Sequence, residues 1–227
     1  MKTSNKILLS LLAVMVLATV LNDLSLKKAY SRIKLNDPFK NYQPVLVEPF
    51  KHLQIKGGNG YTIEIKQASA LDVKVMSSRK NFLTTSSVGD TLFIVFTVSG
   101  SISALEPAQL PVGLIISSPF VRSITADGTS TIINNWKTDS LQVAITGNAS
   151  VNINDVAIGS LTLSGSEHSL FNFHHGNKIN ALAIRLQNNA AVFLKDVTYA
   201  SLNPNLTDNS TLVFSAQSAA QQFAVKK

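Results

Sequence analysis

A chain of 227 residues with 45% hydrophobic and 15% charged residues suits one domain with a short appendage, and it can bury a substantial core. It has no cysteine, which excludes disulfides and thiolate metal sites. The net charge of +7 is concentrated in residues 1–80, which hold 13 of the 20 Lys/Arg but 5 of the 13 Asp/Glu. A nucleic-acid binder carries its basic stripe on the folded body, so nucleic acid is not an expected partner. A basic excess beside an apolar segment points instead to anionic lipid.

Residues 1–26 open with Lys2 and Lys6 and continue as an apolar run from Ile7 to Leu21. A membrane-spanning helix needs about 20 apolar residues, and roughly 17 suffice. A cleaved signal peptide also needs a small-x-small site after the apolar stretch, and Val20-Leu21-Asn22-Asp23 is a poor one. The segment therefore reads as a signal-anchor or transmembrane helix, single-pass in the cell membrane. Lys2 and Lys6 would hold the N-terminus in the cytoplasm, placing the β domain on the periplasmic or extracellular side. Secretion after cleavage is the alternative. Residues 27–46, basic and containing Pro38 and Pro44, read as a linker.

From residue 47 to 120 the pattern turns to period 2, the mark of strands with one buried face. Leu53 and Ile55, Tyr61 to Ile65, Leu71 to Val75, Leu92 to Val98 and Leu114 with Ile116 give four or five strands. A Gly57-Gly58-Asn59-Gly60 turn falls among them, and a loop runs from Ser99 to Leu110. Ile55, Val75, Val95 and Ile115 are spaced 20 apart, which suggests that a coil begins here.

Residues 121–218 repeat about every 20 positions, and such self-similarity signals stacked units. One column runs Val121, Leu141, Leu161, Leu182, Leu202; a second runs Ile133, Ile153, Phe173, Leu194, Phe214. Between them sit the turn-forming segments Asp127-Gly128-Thr129, Gly147-Asn148-Ala149, Gly165-Ser166-Glu167, Asn188-Asn189-Ala190 and Asp208-Asn209-Ser210. One such unit is too small to bury its own apolar face, and stacking closes a continuous core. The expected fold is all-β: a parallel β-helix-like solenoid with ~20-residue coils, preceded by a single N-terminal hydrophobic helix. Residues 219–227 lose the strand pattern and read as a tail or cap.

Gly57-Gly58-Asn59-Gly60-Tyr61-Thr62-Ile63-Glu64-Ile65-Lys66, then Leu71-Asp72-Val73-Lys74-Val75, Gly89-Asp90-Thr91-Leu92-Phe93-Ile94 and the repeats together resemble the head-GIN domain family. That Bacteroidetes-type family is labelled "putative auto-transporter adhesin" and is otherwise a domain of unknown function. The resemblance covers about residues 45–218. It implies an all-β exported domain behind a signal peptide or membrane anchor, with a β-helix-like repeat half. It brings no functional residues with it.

Several groups of residues invite a chemical reading. Glu167, His168, His174 and His175 are the only concentrated titratable cluster and suggest Zn²⁺ or Cu²⁺. The repeat register sets them at different corners, however, so no metal site is expected. Asp127, Asp139, Asp155, Asp196 and Asp208 lie at or near corners. Glycoside hydrolysis requires a carboxylate pair about 5–9.5 Å apart, whereas Asp also stabilises tight turns directly. No catalytic residue and no cofactor is expected. Thr129-Ser130-Thr131, Asn152, Asn154, Thr162, Asn172 and Gln187 suggest an exposed polar face able to bind a glycan or an envelope protein. The expected function is a non-enzymatic, membrane-anchored cell-envelope module for adhesion or partner binding, its oligomeric state left open. The alternatives are a carbohydrate-active β-helix enzyme, discriminated by two carboxylates in one groove beside a cation such as Arg185, and a membrane-linked envelope sensor.

Overall fold

The structure, a computed structural model, describes residues 3–32, 39–57, 61–97 and 111–215. Two compact units are distinct, Met1–Asn41 and Tyr42–Lys227. In the first, α1 (Thr3–Arg32) continues past Leu26 into the stretch expected to be linker. Its segment Ser10–Lys28 has a mean hydropathy of 1.5 and is long and apolar enough to cross a membrane, a test that a signal sequence also passes. Ser10 Oγ donates to the Ile7 carbonyl, and Thr19 Oγ1 is placed to donate to Met15 or Val16. Those hydroxyls are satisfied by their own helix.

The second unit opens with β1 (Tyr42–Val45), β2 (His52–Lys56), β3 (Thr62–Gln67) and β4 (Asp72–Met76). A 3-10 turn over Ser77–Phe82 leads to β5 (Leu83–Val88), β6 (Thr91–Phe96) and β7 (Val112–Ser118). The repeat region supplies β8 (Ser123–Asp127), β9 (Ser130–Asn134), β10 (Lys137–Thr146), β11 (Ser150–Asn154) and β12 (Ala157–Gly165). It ends with β13 (Leu170–Phe173), β14 (Asn177–Leu186), β15 (Ala191–Leu194), β16 (Val197–Leu206) and β17 (Thr211–Phe214). Two open, mixed sheets result. Sheet A runs β1-β4-β7-β3-β9-β11-β13-β15-β17, and sheet B runs β16-β14-β12-β10-β8-β2-β6-β5.

Both columns of the repeat are realised as register, except that Val121, the first member of one, lies before β8 and outside its pairing. Leu141, Leu161, Leu182 and Leu202 are successive partners in sheet B. Ile133, Ile153, Phe173, Leu194 and Phe214 are successive partners in sheet A. Each repeat gives one strand to each sheet, and all these pairings are parallel. The inward residues join one hydrophobic cluster that includes Val143, Leu163, Phe171 and Ile184. Burying a side chain of this size is worth roughly 1.5–3 kcal/mol, so the core outweighs any single surface contact.

The N-terminal half joins the same two sheets out of sequence order. Strand β2 lies between β6 and β8, pairing His52 with both Thr91 and Ser123. Strand β3 lies likewise between β7 and β9. After β1 at the edge of sheet A, the chain enters inside the stack at β2 and β3, runs out to β4 and β5, and returns past β2 and β3. The 20-residue spacing of Ile55, Val75, Val95 and Ile115 is therefore not a stacking column. Ile55 pairs with Ile94, Val95 points outward, and Lys74 meets Ile115 in an antiparallel pair. Strands β1, β4 and β5 all pair antiparallel, so this half departs from a parallel coil. Tyr42–Val45, expected within the linker, is a strand because it completes sheet A beside β4.

Pro44 and Pro204 lie in β1 and β16, each an outermost strand with one neighbour. Proline is tolerated there because an edge strand leaves half its donors unused. Gly113 sits at the irregular start of β7, where a Cβ would come within 2.4 Å of the buried Tyr61 ring. That ring packs edge-on against Phe96 at 4.5 Å. Burial pushes the Tyr61 phenol far above its ordinary pKa, an effect partly opposed by the Arg79 guanidinium. Gly58–Gly60, the expected loop Ser99–Leu110 and the expected tail or cap 219–227 lie outside the described residues.

Candidate binding groove

The outer face of sheet B is set by strand alternation. Val143, Leu163 and Ile184 point into the core, so the residues after them point out. Thr125, Ala144, Ser164, Arg185 and Asn205 are register partners in one row across β8, β10, β12, β14 and β16. Past the strand ends, Thr146, Ser166, Gln187 and Thr207 form a second line. Together the two lines border a groove of about 450 Å³.

The rim is fixed by the turns that follow. Gly147-Asn148, Glu167-His168, Asn188-Asn189 and Asp208-Asn209 all have positive φ, between 51° and 66°. Glycine, asparagine and aspartate adopt this region most readily, whereas Glu167 and His168 hold it at a steric cost. Their side chains are tied down. Thr146 Oγ1 donates to Glu167 Oε2 at 3.1 Å, and Ser166 Oγ donates to Thr146 Oγ1 at 3.1 Å. His168 Nε2 lies 3.3 Å from Asn189 Nδ2.

The row itself is not tied down. Among the described residues, Thr125, Ser164, Arg185, Gln187 and Asn205 form no side-chain hydrogen bond. The ion pairs found there are Lys51–Asp90, Lys56–Asp127, Lys74–Asp72 and His175–Asp155, and none involves Arg185. Its guanidinium is exposed in a groove whose lining contains neither Asp nor Glu. The second proposed carboxylate pattern, two acids flanking Arg185, is not what this groove presents.

Sheet A carries a different outer face. Asn134 Nδ2 donates to Glu64 Oε1 at 3.0 Å, and Asn154 Nδ2 donates to Asn134 Oδ1 at 2.7 Å. Asn172 Nδ2 donates to Asn152 Oδ1 at 3.2 Å, and His174 Nε2 lies 3.1 Å from the same oxygen. These amides spend their hydrogen bonds on one another.

The residues singled out in the sequence are dispersed. Thr129, Ser130 and Thr131, expected to be exposed, are buried at 2%, 7% and 0% exposure, and the Thr129 and Thr131 hydroxyls lie 3.2 Å apart. Thr129 and Thr131 share one side of the chain and pair with each other, while Ser130 is covered between Thr62 and Ser150 in mid-sheet. Asn152, Asn154 and Asn172 belong to the sheet A ladder, whereas Thr162 and Gln187 belong to sheet B. His168, His174 and His175 have separate partners: Asn189, Asn152 and Asp155. Among the described residues, no three His, Asp or Glu side chains are grouped to hold a metal ion. Asp155 and Asp196 share one corner with Asn135 and Gly176, all at positive φ. At Gly176 a Cβ would come within 2.2 Å of Asp155 Oδ1, so the glycine makes room for that carboxylate. Asp127 and Asp208 lie at the groove-side turns, and Asp139 lies within β10. The hydroxyl row was missed in the sequence because its residue types differ from repeat to repeat; the signal was its constant place after the buried column.

No protein-family model matches the chain, and no curated protein sequence matches it. Among solved structures, it is similar to a "putative adhesin" from Bacteroides fragilis NCTC 9343, with a TM-score of 0.46 and 13% identity over 77% of this chain and 96% of that one. It is also similar to a "putative lipid binding protein" from Parabacteroides distasonis ATCC 8503, with a TM-score of 0.38 and 12% identity over 77% and 93%. A "putative adhesin" from Parabacteroides merdae ATCC 43184 gives 0.28 and 11% over 77% and 95%. Those names belong to those proteins.

Proposed function

We propose that the chain is a non-enzymatic, membrane-anchored cell-envelope module of the head-GIN type, in which stacked repeats form a parallel β-helix-like coil that presents a binding face. Residues 1–26 begin the anchor, 27–46 lead to the body, and 47–120 and 121–218 make the two parts of the binding domain, with 219–227 a tail or cap. The observation that carries the reading is the sheet B groove, where polar side chains and one cation are left without partners inside the protein. Support for the coil is the register in which β8 to β17 alternate between the sheets. Support for the anchor is the apolar span of α1. A glycan or an envelope protein is the partner that such a polar face suits.

The test uses the full chain in lipid nanodiscs on a glycan and envelope-protein array. Saturable binding that is lost when Ser164→Trp fills the groove is the expected result. Cleavage of a bound glycan, or binding indifferent to Ser164→Trp, overturns the reading. For topology, the absence of native cysteine makes Asn203→Cys a unique label. It should react with an impermeant maleimide from the periplasmic or extracellular side, and reaction from the cytoplasmic side alone refutes the orientation.

A further inference from the structure

We infer that the groove on sheet B receives an extended acidic polysaccharide lying across the strands, with Arg185 pairing a carboxylate of one sugar unit. The inference rests on the binding reading above and names the class of ligand for that same groove.

Three observations select this chemistry. The first is repetition. Thr125, Ala144, Ser164, Arg185 and Asn205 occupy one register row, so the face offers a polar side chain at four of five successive strands, with Ala144 the gap. Neighbouring strands are about 4.8 Å apart, which makes the row ~19 Å long. A polymer with a repeating unit close to one strand spacing meets an equivalent position at each step, and an extended pyranose chain has such a unit. The second is the donor set. Hydroxyls and amides both donate and accept, as sugar hydroxyls require, and here they are unspent. No aromatic ring lines the groove, and its apolar lining is limited to the aliphatic Ala144, Ile145 and Leu186. The strand edge at the end of the row is β16, where Pro204 removes a donor from any ladder that a peptide would extend.

The third is charge. Arg185 is exposed, has no carboxylate partner among the described residues, and stands in a groove without acidic residues. Its planar fork suits a carboxylate held by two parallel hydrogen bonds. One cation sets the pairing at a single carboxylate of the bound stretch. A nucleic acid is disfavoured because no aromatic ring lines the groove for a base to stack on.

The experiment compares polygalacturonate with its fully methyl-esterified form, which keeps the chain and removes the charge. Full chain in nanodiscs is titrated with each by biolayer interferometry. The acid should bind at least ~10-fold more tightly than the ester, as expected for a charge-assisted pair. Arg185→Gln should remove most of that difference, with acid binding falling toward that of the ester. Affinity for oligogalacturonates should rise with length until about four units span the row. Arg185 is exposed, so its variant keeps the fold, and an unchanged urea midpoint confirms this. Equal binding of acid and ester, or an Arg185→Gln variant that discriminates as well as wild type, overturns the inference. Should neither polymer bind while another array hit is blocked by Ser164→Trp, the acidic-saccharide inference falls and the binding face stands. Should no array hit respond to Ser164→Trp, both fall.

Discussion

The outer faces of sheets A and B are built from the same repeat, at the same step, and both carry polar residues, with Ile132, Phe193 and Val213 interrupting those of sheet A, yet they differ in where their hydrogen bonds go. On sheet A, Asn134, Asn154, Asn172 and Asn152 hand bonds from strand to strand, beginning at Glu64. On sheet B, Thr125, Ser164, Arg185 and Asn205 hold equivalent stacked positions and form no side-chain hydrogen bond among the described residues. Polarity alone therefore does not mark a binding face. What marks it is polar capacity left over after the fold has been satisfied, because an internally paired amide must break a bond worth about 1 kcal/mol before it engages a ligand.

Four substitutions test the contrast. Phe171→Ala empties the core that both faces share, and Phe171 is fully buried. It should cost about 3–5 kcal/mol, seen as a lower urea midpoint, and should damage both faces together; a cost below about 1 kcal/mol would show that the sheets do not share a core. Asn152→Ala removes the acceptor used by Asn172 and His174. A loss of about 1 kcal/mol in the same measurement is expected, with groove binding unaffected. Ser164→Ala should move stability by less than ~0.5 kcal/mol, because its hydroxyl has no internal partner. Equal costs for Asn152→Ala and Ser164→Ala would erase the distinction between the faces. The smallest effect concerns Asp90, outside both faces. Its hydrogen bond from Lys51, at 2.6 Å, and the Lys51 charge hold its carboxyl below the ordinary 3.8. A carboxyl lowered in the folded state stabilises above that value and loses its contribution as pH falls through it. Asp90→Asn should therefore flatten the acid limb of the thermal midpoint against pH slightly, and an identical limb would show the pair to be inert.

The repeat was legible because inward positions must match. Leu141, Leu161 and Leu182 occupy one place in the core, so their type recurs, and both columns appear as register. The N-terminal half was less legible because its pairings are set by distant segments. His52 meets Thr91 on one side and Ser123 on the other, and no local spacing announces either. Strand β5, Leu-Thr-Thr-Ser-Ser-Val, has little apolar alternation, since it lies at the edge of sheet B with most of its residues exposed. The helix was visible from its unbroken apolar run. The groove was only half visible. Gln187 and Arg185 drew notice by residue type, but the row containing Arg185 is defined by register, and its members share no residue type. Thr129 to Thr131 misled for the converse reason: polar residues can be buried when they bond to each other at a corner.

The two prolines have a consequence for assembly. A sheet edge is a template, and a repeating protein with open ends invites copies of itself to continue the pattern. If one molecule were laid end to end on another, β17 would meet β1 in sheet A and β16 would meet β5 in sheet B. Pro44 stands in the first of those junctions and Pro204 in the second. Each seam would lack a donor on one side, so neither sheet could carry its ladder unbroken into a neighbour. The repeat that builds the body thus carries a proline in an edge strand at each end, a device that blunts edge-to-edge pairing.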